Sequence, residues 1–91
     1  MSRVRPNVVD RRLDDRVVVV NLESNRIYEL NRTAAALWEL LHDDVEDSEL
    51  ESRMLERFEV EPALLRRQID ETLRLFAERG LIKTPGSVSA G

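Results

Sequence analysis

Arg26-Ile27-Tyr28-Glu29-Leu30-Asn31 is the stretch whose reading decides the fold. It reads as a strand over 27–30 that returns antiparallel to the stretch before it and runs directly into a helix. Tyr28 and Leu30 fall on one face of that strand, Ile27 and Glu29 on the other. Asn31 then reads as a helix N-cap, because its side-chain oxygen can take a free amide of the first helical turn. The strand thus runs straight into a helix.

Upstream, residues 16–22 are β-branched with few polar interruptions and read as a central strand with both faces at least partly covered. The polar link Glu23-Ser24-Asn25-Arg26 returns the chain antiparallel, Asn25 being able to take the left-handed conformation a hairpin needs. Asp14-Asp15 marks another turn, and residues 7–13 supply a first strand with Val8, Val9 and Leu13 among charges.

Downstream, residues 33–41 carry Ala34, Leu37, Trp38 and Leu41 at helical spacing, and His42-Asp43-Asp44 ends that helix. Ser48 and Glu51 have the form of a capping box that opens a second helix through Phe58, with Leu50, Met54, Leu55 and Phe58 as its apolar stripe. Glu61-Pro62 begins the third and longest helix, proline being harmless in a first turn, and Gly80 stops it after Arg79. Its inner stripe is Leu65, Ile69, Thr72, Leu73 and Phe76, while Leu64 and Leu75 stand on one flank. Leu81-Ile82 adds a short strand or docks on the core. The expected fold is α+β: a three-stranded antiparallel sheet followed by three helices, a winged helix-turn-helix plan with its sheet in front. Residues 1–83 make the domain and the Pro-, Gly- and Ser-rich 84–91 a loose tail.

Ninety-one residues, 42% apolar and 35% charged, suit one lean core. The absence of cysteine excludes disulfides, thiolate metal sites and cysteine nucleophiles. No apolar run is long enough to span a bilayer and no signal-peptide core follows the basic start, so no membrane partner and a cytoplasmic location are expected. Net charge is −4, and residues 39–61 hold ten acids against Arg53 and Arg57. Such a middle repels phosphate backbones.

Candidate chemistry is sparse. His42 is the only histidine, and at a helix end it reads as a dipole-matched cation rather than a catalyst or metal ligand. Asp43-Asp44 and Glu46-Asp47 read as solvated loop charge, with nothing apolar nearby to shift a carboxylate pKa. No glycine-rich phosphate loop or serine-nucleophile signature occurs, so neither enzyme activity nor a cofactor is expected. The fold-level rival is DNA binding, with Arg66, Arg67, Gln68 and Arg74 on a recognition helix. Interleaved Asp70, Glu71 and Glu78 argue against it, so no nucleic-acid partner is expected. Tyr28 and Trp38 read as core rather than as a base-stacking platform. A third possibility is a peptide groove, in which backbone groups of 26–30 pair with a guest strand beside the last helix. The residues alone leave that even with an ordinary edge strand protected by Arg26 and Glu29.

The order Val17-Val18-Val19-Val20-Asn21-Leu22, Ile27-Tyr28-Glu29-Leu30-Asn31 and Ala34-Ala35-Ala36-Leu37-Trp38-Glu39-Leu40-Leu41 resembles the PqqD-like family. So does the continuation through Phe58-Glu59-Val60-Glu61-Pro62 and Phe76-Ala77-Glu78-Arg79-Gly80-Leu81-Ile82. The resemblance implies a non-catalytic recognition element for ribosomally made, post-translationally modified peptides. It would grip the precursor's leader as an added strand and present it to a modifying enzyme. The closest likeness is to the free-standing leader-binding proteins of lasso-peptide clusters, which work with a leader peptidase and a cyclase. The branch concerned with the quinone cofactor and radical-enzyme clusters are the alternatives within the family. Carried over, Arg26, Ile27, Tyr28, Glu29 and Leu30 supply the strand edge. Arg66, Ile69, Asp70, Leu73, Arg74 and Ala77 supply one flank of the third helix, with Leu73 and Ala77 flooring a pocket. The Leu64 and Leu75 flank is the alternative. An uncovered edge strand also allows a homodimer, and the N-terminal arm could swap between copies.

Overall fold

The computed structural model describes residues 3–14 and 16–83. Three strands, β1 (Val8–Leu13), β2 (Arg16–Asn21) and β3 (Arg26–Leu30), precede α1 (Arg32–His42), α2 (Asp47–Leu55) and α3 (Pro62–Glu78). The sheet is antiparallel throughout, in the order β1-β2-β3, which leaves β1 and β3 as edges. The α+β plan expected from the sequence is the plan observed. The expected tail 84–91, and Asp15 of the first turn, lie outside the described residues.

Two turns set the register. Asp14 takes φ +57° between Leu13 and Arg16, which pair across the tight β1–β2 hairpin. Asn25 takes φ +61° at the end of the β2–β3 link, and its amide donates to Asn21 O at 2.8 Å. Both are residues that tolerate the left-handed region. Asn31 caps α1 as expected, accepting from the Ala34 amide at 2.8 Å.

The core lies between one sheet face and the three helices. Val17 and Val19 from β2 and Leu30 from β3 meet Leu37, Trp38, Leu41, Leu50, Met54, Leu65, Ile69 and Phe76, all buried. Trp38 stands edge-on to Phe76, ring centroids 5.4 Å apart, and locks α1 to α3. Leu81 and Ile82 are buried too, and Ile82 bridges Val4, so the N-terminal arm docks against the segment after α3 of its own chain.

Three expectations need correcting. Ser48 is not an N-cap: α2 starts at Asp47 with Glu46 in the cap position, and Glu51, the supposed reciprocal partner, instead bonds Arg66. α2 also ends at Leu55, leaving Phe58 and Val60 as half-buried loop residues. The central strand, expected to be at least partly covered on both faces, carries no element on its outer face among the described residues, and Val18 and Val20 there are half-exposed.

Candidate functional site

The geometry of the β3 edge follows from strand alternation. Leu22 donates its amide to Asn7 O at 2.8 Å, so every second pair from there (Val9 with Val20, Arg11 with Val18, Leu13 with Arg16) is a hydrogen-bonded pair. Val17, Val19 and Asn21 therefore turn their backbone groups the other way, toward Leu30, Tyr28 and Arg26. That consumes the amides and carbonyls of Arg26, Tyr28 and Leu30. Ile27 and Glu29 point theirs off the sheet, where no strand meets them among the described residues. Two donors and two acceptors thus lie along an open edge of five residues.

On the inner face of that edge Leu30 is buried and Tyr28 half-buried. The Arg79 guanidinium sits 4.5 Å from the Tyr28 ring centroid, a cation over an aromatic face at the C-terminal end of α3. Asn21, buried at the end of β2, donates to Arg79 O at 2.8 Å and holds that helix end beside the β2–β3 turn.

These contacts place the C-terminal end of α3, at Arg79, beside β3. Arg79 shares its helical stripe with Gln68, Thr72 and Leu75, and Leu64 lies at the N-terminal end of that side. Leu64 and Leu75 are exposed, at 47% and 40%. The other side carries Arg66, whose Nε and NH2 group bond the two Glu51 carboxylate oxygens of α2 at 3.0 and 3.3 Å. The Glu51 carboxylate raises the Arg66 pKa above its ordinary value, by hydrogen bonding first and charge second. Asp70 and Arg74 follow Arg66 by one and two turns and are exposed on that same side.

The expected site residues therefore divide. Arg26, Ile27, Tyr28, Glu29 and Leu30 form one edge. Of the helix residues, Ile69 and Leu73 are core, 6% and 8% exposed, and do not floor an open pocket. Ala77 is half-buried against the same core. Arg66 is engaged with α2. Arg79 is the residue of α3's end that meets β3, through Tyr28, and Leu64, Gln68 and Leu75 share its side of the helix. The two exposed leucines of that side were the sequence signal for it, but Arg79 carried none.

Other features are structural. A hollow of about 270 Å³ lies between β1 and α1, across the sheet from the β3 edge. In it Asp10 accepts from Trp38 Nε1 at 2.8 Å, and His42 Nε2 lies 3.1 Å from the same carboxylate oxygen, an ion pair when the imidazole is protonated. His42 thus ties α1 to β1 instead of covering the carbonyls of its own helix end. Glu39 pairs with both Arg12 and Arg57 nearby. Among the described residues no three His, Asp or Glu side chains gather as a metal site would need, and no helix is long and apolar enough to cross a membrane.

Known proteins share this architecture. The structure of "TbiB1 in complex with the TbiA(beta) leader peptide" superposes with a TM-score of 0.84 at 23% identity, covering 91% of this chain and 95% of that one. A "lasso peptide synthetase B1 complexed with the leader peptide" superposes at 0.78 with 25% identity, covering 87% and 93%. No curated protein matches in sequence. The match to the family described as coenzyme PQQ synthesis protein D covers residues 16–82, from the start of β2 to the segment that follows α3. With all but the first strand of the fold inside that match, the chain belongs to the PqqD family.

Proposed function

We propose that the protein is a non-catalytic adaptor that binds the leader of a ribosomally made precursor peptide by strand addition to β3 and hands it to a modifying enzyme. The observation that carries this reading is the open β3 edge, where among the described residues no strand pairs with the backbone groups of Ile27 and Glu29, together with exposed Leu64 and Leu75 on the side of α3 that ends at Arg79 over Tyr28. A guest strand bonded to Ile27 and Glu29 turns alternate side chains inward, opposite Tyr28, where Leu75 and Arg79 stand ready to receive them. Backbone pairing supplies sequence-tolerant affinity, and the apolar flank selects one or two anchors. The solved relatives, each in complex with a leader peptide, and the family membership support the same reading. The enzyme partners we assign are of the lasso-peptide type, a leader peptidase and a cyclase. The peptide-contacting residues are Arg26 to Leu30 together with Leu64, Gln68, Leu75 and Arg79.

Calorimetric titration tests this with the synthetic leader segment of a short precursor encoded beside the gene. Saturable one-to-one binding at low micromolar strength or better is expected, with no binding of the core segment of the same precursor. Leu75→Asp should weaken binding at least about tenfold with little loss of stability, since Leu75 is 40% exposed, whereas Arg74→Glu should change it less than about threefold. Absence of leader binding, together with salt-sensitive binding of duplex DNA, would overturn the reading in favour of a winged-helix regulator.

A further inference from the structure

The groove accounts for two of the exposed large apolar side chains. Among the described residues four others remain: Val9 at 48%, Leu13 at 47%, Leu22 at 54% and Ile27 at 69%. Strand alternation puts all four, with half-exposed Val18 and Val20, on the sheet face turned away from the helices. A shallow trough of about 420 Å³ runs over Val9, Leu13, Val18 and Val20. Continuous apolar surface of this kind marks a contact site rather than scattered exposure.

The register shows what fits it. Val9, Val20 and Ile27 lie side by side across the three strands, and Arg11, Val18 and Glu29 form the next row. That second row has a cation at the β1 edge, an apolar centre and an anion at the β3 edge. Turned about a two-fold axis parallel to β2, the row becomes its own complement. Arg11 meets the partner's Glu29 at both ends, Val18 meets the partner's Val18, and Val9 meets the partner's Ile27 in the neighbouring row. Arg16 lies near the axis and pairs with Glu29 of its own chain at 2.9 Å through one carboxylate oxygen, so Glu29 would be shared between Arg16 and the partner's Arg11.

We propose that this face joins two copies of the chain, their sheets stacked front to front about 10 Å apart. A three-stranded face measures about 14 by 20 Å, which falls short of the roughly 1,200 Å² total of a permanent interface. The dimer is therefore weak and reversible. It leaves both β3 edges open, because the contact uses the face of the sheet and not its rim. Pairing along the β1 edge fits worse. The register that would oppose Asp10 to the partner's Arg12 brings Arg11 against its own copy, cation to cation at the centre of the contact.

Sedimentation equilibrium on the full chain, from about 10 μM to about 1 mM, tests this at physiological salt. The mass should rise from one copy toward two across that range. Arg11→Glu and Glu29→Arg should each raise the dimer dissociation constant at least about tenfold, and the double exchange should recover most of the loss. Val18→Glu should abolish association, with circular dichroism to confirm its fold. A protein that stays monomeric at every concentration would overturn the proposal and give the face to a different partner. Association that survives both charge exchanges, or that shows no recovery in the double variant, would overturn it in favour of edge pairing.

Discussion

Asn21 is the one buried polar side chain among the described residues, and both its amide oxygen and nitrogen bond around a single junction. Its Oδ1 accepts from Asn7 Nδ2 at 2.9 Å and from the Glu23 and Ser24 amides at 2.9 and 3.3 Å, while Nδ2 donates to Arg79 O. Three parts of the chain meet there: the approach to β1, the β2–β3 turn and the end of α3. Gly80 sits against this knot with φ +69°, and a Cβ on it would lie 2.9 Å from Asn21 Nδ2. Removing the Asn21 amide breaks four part-buried hydrogen bonds at once, so Asn21→Ala should cost about 1–3 kcal/mol in urea unfolding. Gly80→Ala should cost about 1–3 kcal/mol from backbone strain and crowding. Because Asn21→Ala also removes the atom that the new methyl would strike, the double variant should lose less than the sum of the two. Leu73→Asp is a different case. At 8% exposure it buries a carboxylate among Ile69, Phe76 and their neighbours, and should cost about 3–5 kcal/mol. Its effect on peptide binding would then report unfolding, which a parallel thermal melt would expose.

At the level of elements, β3 and α3 differ in how far the sequence could describe them. Strand alternation in 27–30, the Asn31 cap and the Gly80 stop depend on neighbours in the chain and were readable there. The direction of each β3 amide was not, because it depends on register, and register depends on the conformations of Asp14 and Asn25 in two hairpin turns. The α2 start was misread because Ser48-x-x-Glu51 satisfies the capping pattern locally, while the tertiary bond to Arg66 claims Glu51. Which side of α3 leads to the β3 contact was ambiguous for the same reason. One flank offered charges and the other leucines, and only the contacts of Arg66 with α2 and of Arg79 with Tyr28 separate them. Register now distinguishes two proline variants. Tyr28→Pro removes an amide that bonds β2 and should unfold or severely destabilise the sheet by about 3 kcal/mol or more. Glu29→Pro removes an amide that faces outward, so it should spare the β2–β3 ladder yet weaken leader binding at least about tenfold. Circular dichroism beside calorimetry separates the two, and equal damage to the fold by both would show the register to be shifted by one residue.

For the molecule as a whole, the distribution of charge decides between the two uses to which a winged helix lends itself. A DNA reader needs a basic stripe along α3 and its supporting helix. Here α2 and its flanks concentrate the acids of 39–61, and Arg66, the first cation of the would-be recognition helix, is bonded to Glu51. The net charge of −4 makes that environment repulsive toward phosphates at any distance within a Debye length. Peptide addition to β3 draws instead on backbone hydrogen bonds and apolar anchors, neither of which releases counterions. Leader affinity should therefore change less than about threefold between low and high salt. A nucleic-acid complex making six or more phosphate contacts would lose about a thousandfold over the narrower range from about 50 to 200 mM. Repeating the calorimetric titration at three salt concentrations makes the comparison. A slope steep enough to imply several ion pairs would mean that the leader is held by the exposed arginines of α3 rather than by the β3 edge. The Leu75→Asp and Glu29→Pro variants would then bind as the wild type does, and Arg74→Glu would not.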